Sequence, residues 1–251
     1  MVKKILIAFG ALIFVLILVI LLTIASSGNE PAPLLVANFV DLDKITRISK
    51  YRSCTGHVTV PQNEQENKRS MKHYFEVKPE YVGTDAVKIY SPYDGYVSVI
   101  RSEPGSGLEG ELWIVPKRAL PMLPPFGVWQ FSVQHIIIKK DFRLGSEVKA
   151  GEIIGYAAIP KSNRATFDIV YAKQGLIPKK IDNWSSPFAD LDSVFNHMSE
   201  EAFANYQQKG ITSKEMLLIS KEERDNKPCQ YEGQGPYFIN QEDPDNWVVW
   251  K

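Results

Sequence analysis

Between Lys4 and Ser26 the chain has no charged residue and no proline, only ILIAFGALIFVLILVILLTIA from Ile5 to Ala25. A hydrocarbon layer roughly 30 Å thick is crossed by about 20 apolar residues at helical rise, so this run is long enough to span it. Its circumference is apolar all round, unlike a core helix with one polar face. Lys3 and Lys4 precede it, and the flank that follows carries Glu30 and no base. The excess of base before the run predicts a cytoplasmic N-terminus and an exported remainder. A cleaved signal peptide is the competing reading, with Ala25-Ser26-Ser27 as its cleavage site. Such peptides usually have an apolar stretch of about 7–15 residues, shorter than this one.

Everything after the run is long enough for one large domain, or a domain with an appendage. Acids there outnumber bases only slightly, 29 against 27 once Lys3 and Lys4 are set aside. That balance offers no basic field for nucleic acid. The only cysteines, Cys54 and Cys229, both fall on the exported side. They are candidates for a disulfide closing a very large loop, with two unpaired thiols as the alternative. Together with four scattered histidines they match no zinc-finger spacing.

Along the chain, Leu35, Val36, Phe39, Leu42, Ile45 and Ile48 recur at spacings near three and four, which predicts an amphipathic lead-in helix between Leu34 and Ser53. A polar loop follows to Arg69. From Met71 to Lys173 the texture becomes short β-branched and aromatic runs: 73–77, 87–90, 95–100, 111–115, 129–138, 153–158 and 165–171. Gly and Pro punctuate them, as expected of an antiparallel sheet, sandwich or barrel. Beyond Pro178 the pattern reads as helical. Ser199 caps a helix over 200–209, a second short one starts near Thr212 or Ser213, and Ser220 with Glu223 forms a capping box for a third. The aromatic tail, with Tyr237, Phe238, Trp247 and Trp250, is expected to lie across the core. The resulting divisions are 1–25 (stub and transmembrane helix), 26–70 (linker and lead-in), 71–175 (β domain) and 176–251 (helical extension).

The most informative segment is Ser91 to Tyr171. It contains Ser-Pro-Tyr-Asp-Gly-Tyr-Val (91–97), Val133-Gln-His-Ile136, Leu144-Gly-Ser-Glu-Val-Lys-Ala-Gly-Glu-Ile-Ile-Gly-Tyr156 and Ala165-Thr-Phe-Asp-Ile-Val170. Gly145, Gly151 and Gly155 suit tight turns, and Val148, Ile153 and Ile154 suit a sheet core. In this order the segment resembles the barrel of lysostaphin-type (LytM-like) zinc endopeptidases. The likeness covers about Met71 to Tyr171. It implies a mainly β, duplicated-hybrid-motif barrel-sandwich, here with a single N-terminal transmembrane helix and a small C-terminal helical extension.

The resemblance also implies where a zinc site would fall. His73 takes the place of the first ligand, but the aspartate position falls on Val77, with Glu76 one residue out of register. The H-x-H pair becomes Arg164 and Thr166, and His135 matches the assisting histidine of "Y-x-H-L". One ligand of three is retained, so the expectation is no zinc. Convergence of His57, His73, His135 and Asp168 in space is the remaining route to a metal site. Asp168 is otherwise expected on the outer strand face. Met71-Lys72 is similar to the "M-K" hairpin of biotinyl domains, but Pro92 follows too far downstream for that hairpin.

These readings predict a non-catalytic, membrane-tethered domain at the plasma membrane, facing the extracytoplasmic side. Its groove, with His73, His135, Trp129, Arg164 and Thr166, would bind a peptidoglycan or other glycan, a peptide or an envelope protein. Tyr93, Trp113 and Phe131 are further aromatic candidates, and Leu120 to Phe126 a candidate lip. An active zinc endopeptidase with rearranged ligands is the alternative. A membrane-fusion adaptor is disfavoured, because no long heptad helices interrupt the barrel segment.

Overall fold

Short runs rich in Val, Ile, Phe, Tyr and Trp, broken by turn residues, favour extended pairing over helix, and the chain pairs accordingly. The computed structural model describes residues 2–27, 31–62, 65–116, 127–157, 166–181, 184–231, 233 and 235–249. Eleven strands are present among them: β1 (Ile45–Ser49), β2 (His73–Val77), β3 (Lys88–Tyr90), β4 (Gly95–Arg101), β5 (Gly110–Val115), β6 (Trp129–Ile138), β7 (Glu147–Val148), β8 (Ile153–Ala157), β9 (Thr166–Ile181), β10 (Trp184–Asp192) and β11 (Trp247–Val249). All belong to one antiparallel sheet. Its main path is β11-β1-β2-β9-β6-β5-β4-β7, with β10 on β9, and β8 joining β6 to β3.

The helices are α1 (Val2–Ser27), α2 (Glu200–Gln207) and α3 (Lys221–Asn226). Ser199 Oγ accepts from Ala202 N–H to start α2, and Ser220 Oγ accepts from Glu223 N–H to start α3, each satisfying a free N–H of the first turn. The segment Lys3–Leu21 of α1 is long and apolar enough to cross a membrane, with none of it buried against the rest of the chain. A signal sequence passes the same test.

Strand parity divides the sheet into two faces. The core face carries Phe75 and Val77 of β2, Phe167, Ile169 and Tyr171 of β9, and Phe131 and Val133 of β6, all in one buried cluster. Phe75 and Phe167, opposite each other in register, stack with centroids 5.2 Å apart. The other face carries Lys72, Tyr74, Thr166, Asp168 and Gln134. A second, smaller cluster, including Val58, Val60, Trp113, Val170, Phe188 and Cys229, covers part of it. Cys54 and Cys229 are joined there as a disulfide. In the glycine-rich block, Gly145 and Gly151 adopt φ of 80° and 77°. Gly155 serves differently: a Cβ on it would lie 2.7 Å from the Ile137 carbonyl oxygen of the adjoining strand.

Three expectations are corrected, one of them the helical reading beyond Pro178, where β9 reaches Ile181 and β10 spans Trp184–Asp192. The lead-in helix between Leu34 and Ser53 is not formed: a 3-10 turn at Leu42–Lys44 runs into β1. Of the residues at helical spacing, Leu35, Phe39, Leu42, Ile45 and Ile48 are buried, whereas Val36 is exposed. Pairing of β1 with both β2 and β11 overrides that periodicity. Strand β1, before residue 70, pairs with β2, and β9 runs from Thr166 to Ile181. Asp168 lies buried inside the second face rather than on an outer one. Trp250 and the Leu120–Phe126 lip lie outside the described residues.

Candidate functional site

Alternation along β2 sends His73, Phe75 and Val77 to the core and leaves Tyr74 and Glu76, with Lys72 just before the strand, on the second face. The register sets Tyr74 beside Asp168, Glu76 beside Thr166, and Asp168 beside Gln134 of β6. The result is a polar row on an otherwise apolar sheet. Lys72 Nζ donates to Gln134 Oε1 at 2.8 Å and lies 3.3 Å from Asp168 Oδ2. Gln134 Nε2 donates in turn to Glu111 Oε1 at 3.0 Å, which also accepts from the Trp113 indole N–H. The Lys72 and Asp168 side chains are only 3% and 1% exposed, so each charge depends on the other for compensation. Asp168 Oδ1 is buried with no hydrogen-bond partner among the described residues.

His135 joins this row through a backbone irregularity. Its φ is +63°, a left-handed conformation rare for a non-glycine residue within a strand. The register with β5 shifts at this point, Glu111 facing Gln134 and Gly110 facing Ile136. There β6 leaves β9, its partner through Gln134, and takes up β8 from Ile136. Such a bulge re-aims a side chain. It brings His135 Nε2 to 3.7 Å from Asp168 Oδ2, an ion-pair distance too long for a hydrogen bond, and Nδ1 onto the Glu109 carboxylate. Holding a residue this way costs about 1–3 kcal/mol, and such strain clusters at functional sites.

His57 reaches the same neighbourhood from the segment that covers the face. Burial, reinforced by the nearby Lys72 charge, pushes its pKa down to about 4, against the opposing pull of Asp168. Its ring meets Tyr237 edge-on at 6.0 Å. Beyond it, a cleft of about 410 Å³ opens between β1, β2, the start of β9 and the C-terminal tail. Its lining includes Arg47, Thr55, Tyr74, Glu76, Thr166, Tyr237, Glu242 and Trp247. Arg47 is ion-paired to Glu76 and Glu242 and lies 4.0 Å over the Trp247 ring. Burial of Arg47 works against its charge, but the two carboxylates outweigh it and raise the pKa.

The residues singled out from sequence therefore separate. Thr166 and His135 lie on the polar face. His73 does not: it is buried on the core side, Nδ1 2.9 Å from the Ser49 carbonyl oxygen and Nε2 2.8 Å from Ser193 Oγ. Burial pushes its pKa down to about 4. Trp129 also faces the core side, stacked on Tyr171 at 5.1 Å. Tyr93, Trp113 and Phe131 are buried packing residues, and Arg164 lies outside the described residues. Tyr74 and Arg47 were not singled out in sequence, and Lys72 and Glu76 were noted there without this role. Parity with Thr166 through the β2–β9 pairing was the signal that could have found three of them.

A zinc ion needs three or more deprotonated donors at about 2.0–2.3 Å. Among the described residues no group of three His, Cys, Asp and Glu side chains is placed to hold a metal. His135 lies 3.7 Å from Asp168, and His57 is near enough to feel both charges, but the Lys72 nitrogen sits on the Asp168 carboxylate. The donor set does not fit zinc as it stands.

No family model matches the chain, and no curated protein matches it. Among solved structures it is similar to a zinc-containing peptidase from Vibrio cholerae (18% identity over 56% of this chain and 37% of that one, TM-score 0.33). It is also similar to Helicobacter pylori Csd3 (15%, 74% and 42%, TM-score 0.34) and to lysostaphin (15%, 56% and 52%, TM-score 0.31). The chain thus spans between 37% and 52% of the length of these proteins. They include the kind of protein that the sequence motif resembles. A TM-score this low transfers no site from one chain to another.

Proposed function

We propose that this chain is a membrane-anchored, extracytoplasmic domain whose polar sheet face binds a cell-envelope glycan, peptide or partner protein without zinc-dependent hydrolysis. The observation that carries the reading is the left-handed bulge at His135, a strained backbone that aims an exposed imidazole at the buried Lys72–Asp168 pair. Strain kept at an exposed polar residue favours a binding role over a packing role. The fixed positive charge of Lys72 against Asp168 opposes a metal cation at the same carboxylate. The apolar run in α1 and the basic residues before it support the anchor and its orientation.

The approach of His135 to Asp168, with His57 nearby, favours a second reading, an active metallopeptidase with rearranged ligands. One experiment separates the two. The full chain in lipid nanodiscs is equilibrated with zinc, dialysed and assayed for metal, then cosedimented with purified cell-wall sacculi. The expected outcome is zinc far below one per chain, intact sacculi, and retention that His135→Ala abolishes. One zinc per chain, lost in both His57→Ala and His135→Ala and accompanied by released wall fragments, would establish the peptidase. Neither zinc nor retention would sink sacculus binding by this face.

A further inference from the structure

We infer that the cleft between β2 and the C-terminal tail is a binding site for an organic cation, specifically a primary ammonium such as a lysine side chain or a peptide N-terminus. The inference deepens the binding role proposed above and rests on it only in assigning a ligand to this side of the sheet.

Charge selects the ligand. The charged side chains lining the cleft are Arg47, Glu76 and Glu242. One guanidinium is shared between two carboxylates, which leaves a surplus negative charge, and the Glu242 side chain is 61% exposed at the mouth. Lys72, a further base nearby, lies 6.0 Å from the Tyr74 ring but is committed to Asp168 and Gln134. An incoming anion would meet two acids and a base already engaged by both. An incoming ammonium would find a free carboxylate edge.

The walls suit a cation as well. Trp247 already holds the Arg47 guanidinium against its ring, and Tyr237, 64% exposed, offers a second aromatic surface at the rim. Thr55 supplies an independent indication of a ligand. It is 3% exposed and lines the cleft, yet its Oγ1 has no hydrogen-bond partner among the described residues. A buried hydroxyl left without a partner costs about 1–3 kcal/mol, and it can accept from an ammonium N–H. The adjoining backbone is fixed, Gly56 N–H donating to Gln241 Oε1 at 3.0 Å, so the wall is already in place before binding.

The test uses the full chain in nanodiscs, following Trp fluorescence and calorimetric heat on titration with N-acetyl-lysine methylamide. N-acetyl-norleucine methylamide, of similar shape without the charge, and N-acetyl-glutamate methylamide serve as comparisons. Saturable lysine binding is expected, with norleucine at least about tenfold weaker and glutamate unbound. Glu242→Gln, at an exposed position that leaves folding intact, should weaken lysine binding about tenfold, and Thr55→Val by a smaller factor. Equal binding of norleucine would make the cleft an apolar slot, and preferred binding of glutamate an anion site. Either result overturns the inference, as does lysine that fails to saturate at about 10 mM, where a millimolar site is filled. Sacculus retention lost only in His135→Ala, with lysine binding absent, would leave the binding role standing and this inference refuted.

Discussion

The two faces of the sheet hold histidine in opposite ways. On the core face His73 has both ring nitrogens engaged, lies edge-on to Phe195 at 4.8 Å and sits in regular strand geometry. On the polar face His135 is in a left-handed backbone conformation, half exposed between Glu109 and Asp168. The first packs a sheet and the second is displayed by one. Residue type alone does not separate a packed histidine from a displayed one, whereas strand parity and backbone conformation do.

The contrast can be broken most forcefully at the polar row. Lys72→Met leaves Asp168 as a lone buried charge and should cost about 3–5 kcal/mol in urea unfolding. The double variant Lys72→Met/Asp168→Leu should recover most of that loss, since an apolar pair of similar volume replaces a desolvated ionic one. If the double variant is as unstable as the single, the two residues do not act as a unit.

Acid titration probes the core side. His73 has an ordinary value near 6.5 that burial depresses to about 4. Between those values the unfolded chain binds the proton and the folded one does not. Stability should therefore be complete above about pH 6.5 and fall as pH drops toward 4, by on the order of 3 kcal/mol from this residue. His57 is shifted in the same direction. Unfolding midpoints measured across that range should slope less steeply in His73→Gln. An unchanged slope would mean that His73 is not the titrating group.

The smallest effect has the opposite sign. His135→Gly removes the left-handed penalty and should raise stability by about 1 kcal/mol, whereas His135→Ala, still bearing a Cβ, should not. A glycine variant that melts lower than the alanine one would show that the bulge is unstrained, and the contrast between the faces would lose its basis.

Much of this architecture is readable from the chain. Strands β2, β4, β5, β6 and β8 coincide with β-branched runs set between Gly and Pro turns, and the helices after Ser199 and Ser220 follow from their caps. β1, β10 and β11 were not readable, β10 falling in the stretch read as helical. Ile45 and Ile48 fit a helical period equally well, and only the return of residues 247–249 makes an extended strand the better solution. The site was legible in part for a related reason. A histidine inside a strand attracts attention as a ligand, but parity turned His73 inward. His57 sits in an irregular segment where no periodicity announces a face. The bulge that redirects His135 depends on β6 exchanging partners, which no local pattern encodes.

The pairing of β1 with β11 also dictates an order of assembly. Strand β1 has only two neighbours, β2 and β11, and Ile48 sits opposite Val248 across 200 residues of chain. Until the last strand emerges, one edge of β1 stays open, and Trp247 is not yet in place to wall the cleft. Contacts so distant in sequence form slowly. The domain therefore completes itself late, the cleft being among the last parts to take shape. A ribosome-bound chain truncated before Trp247 should carry an incomplete cleft and an exposed strand edge that invites association with other chains.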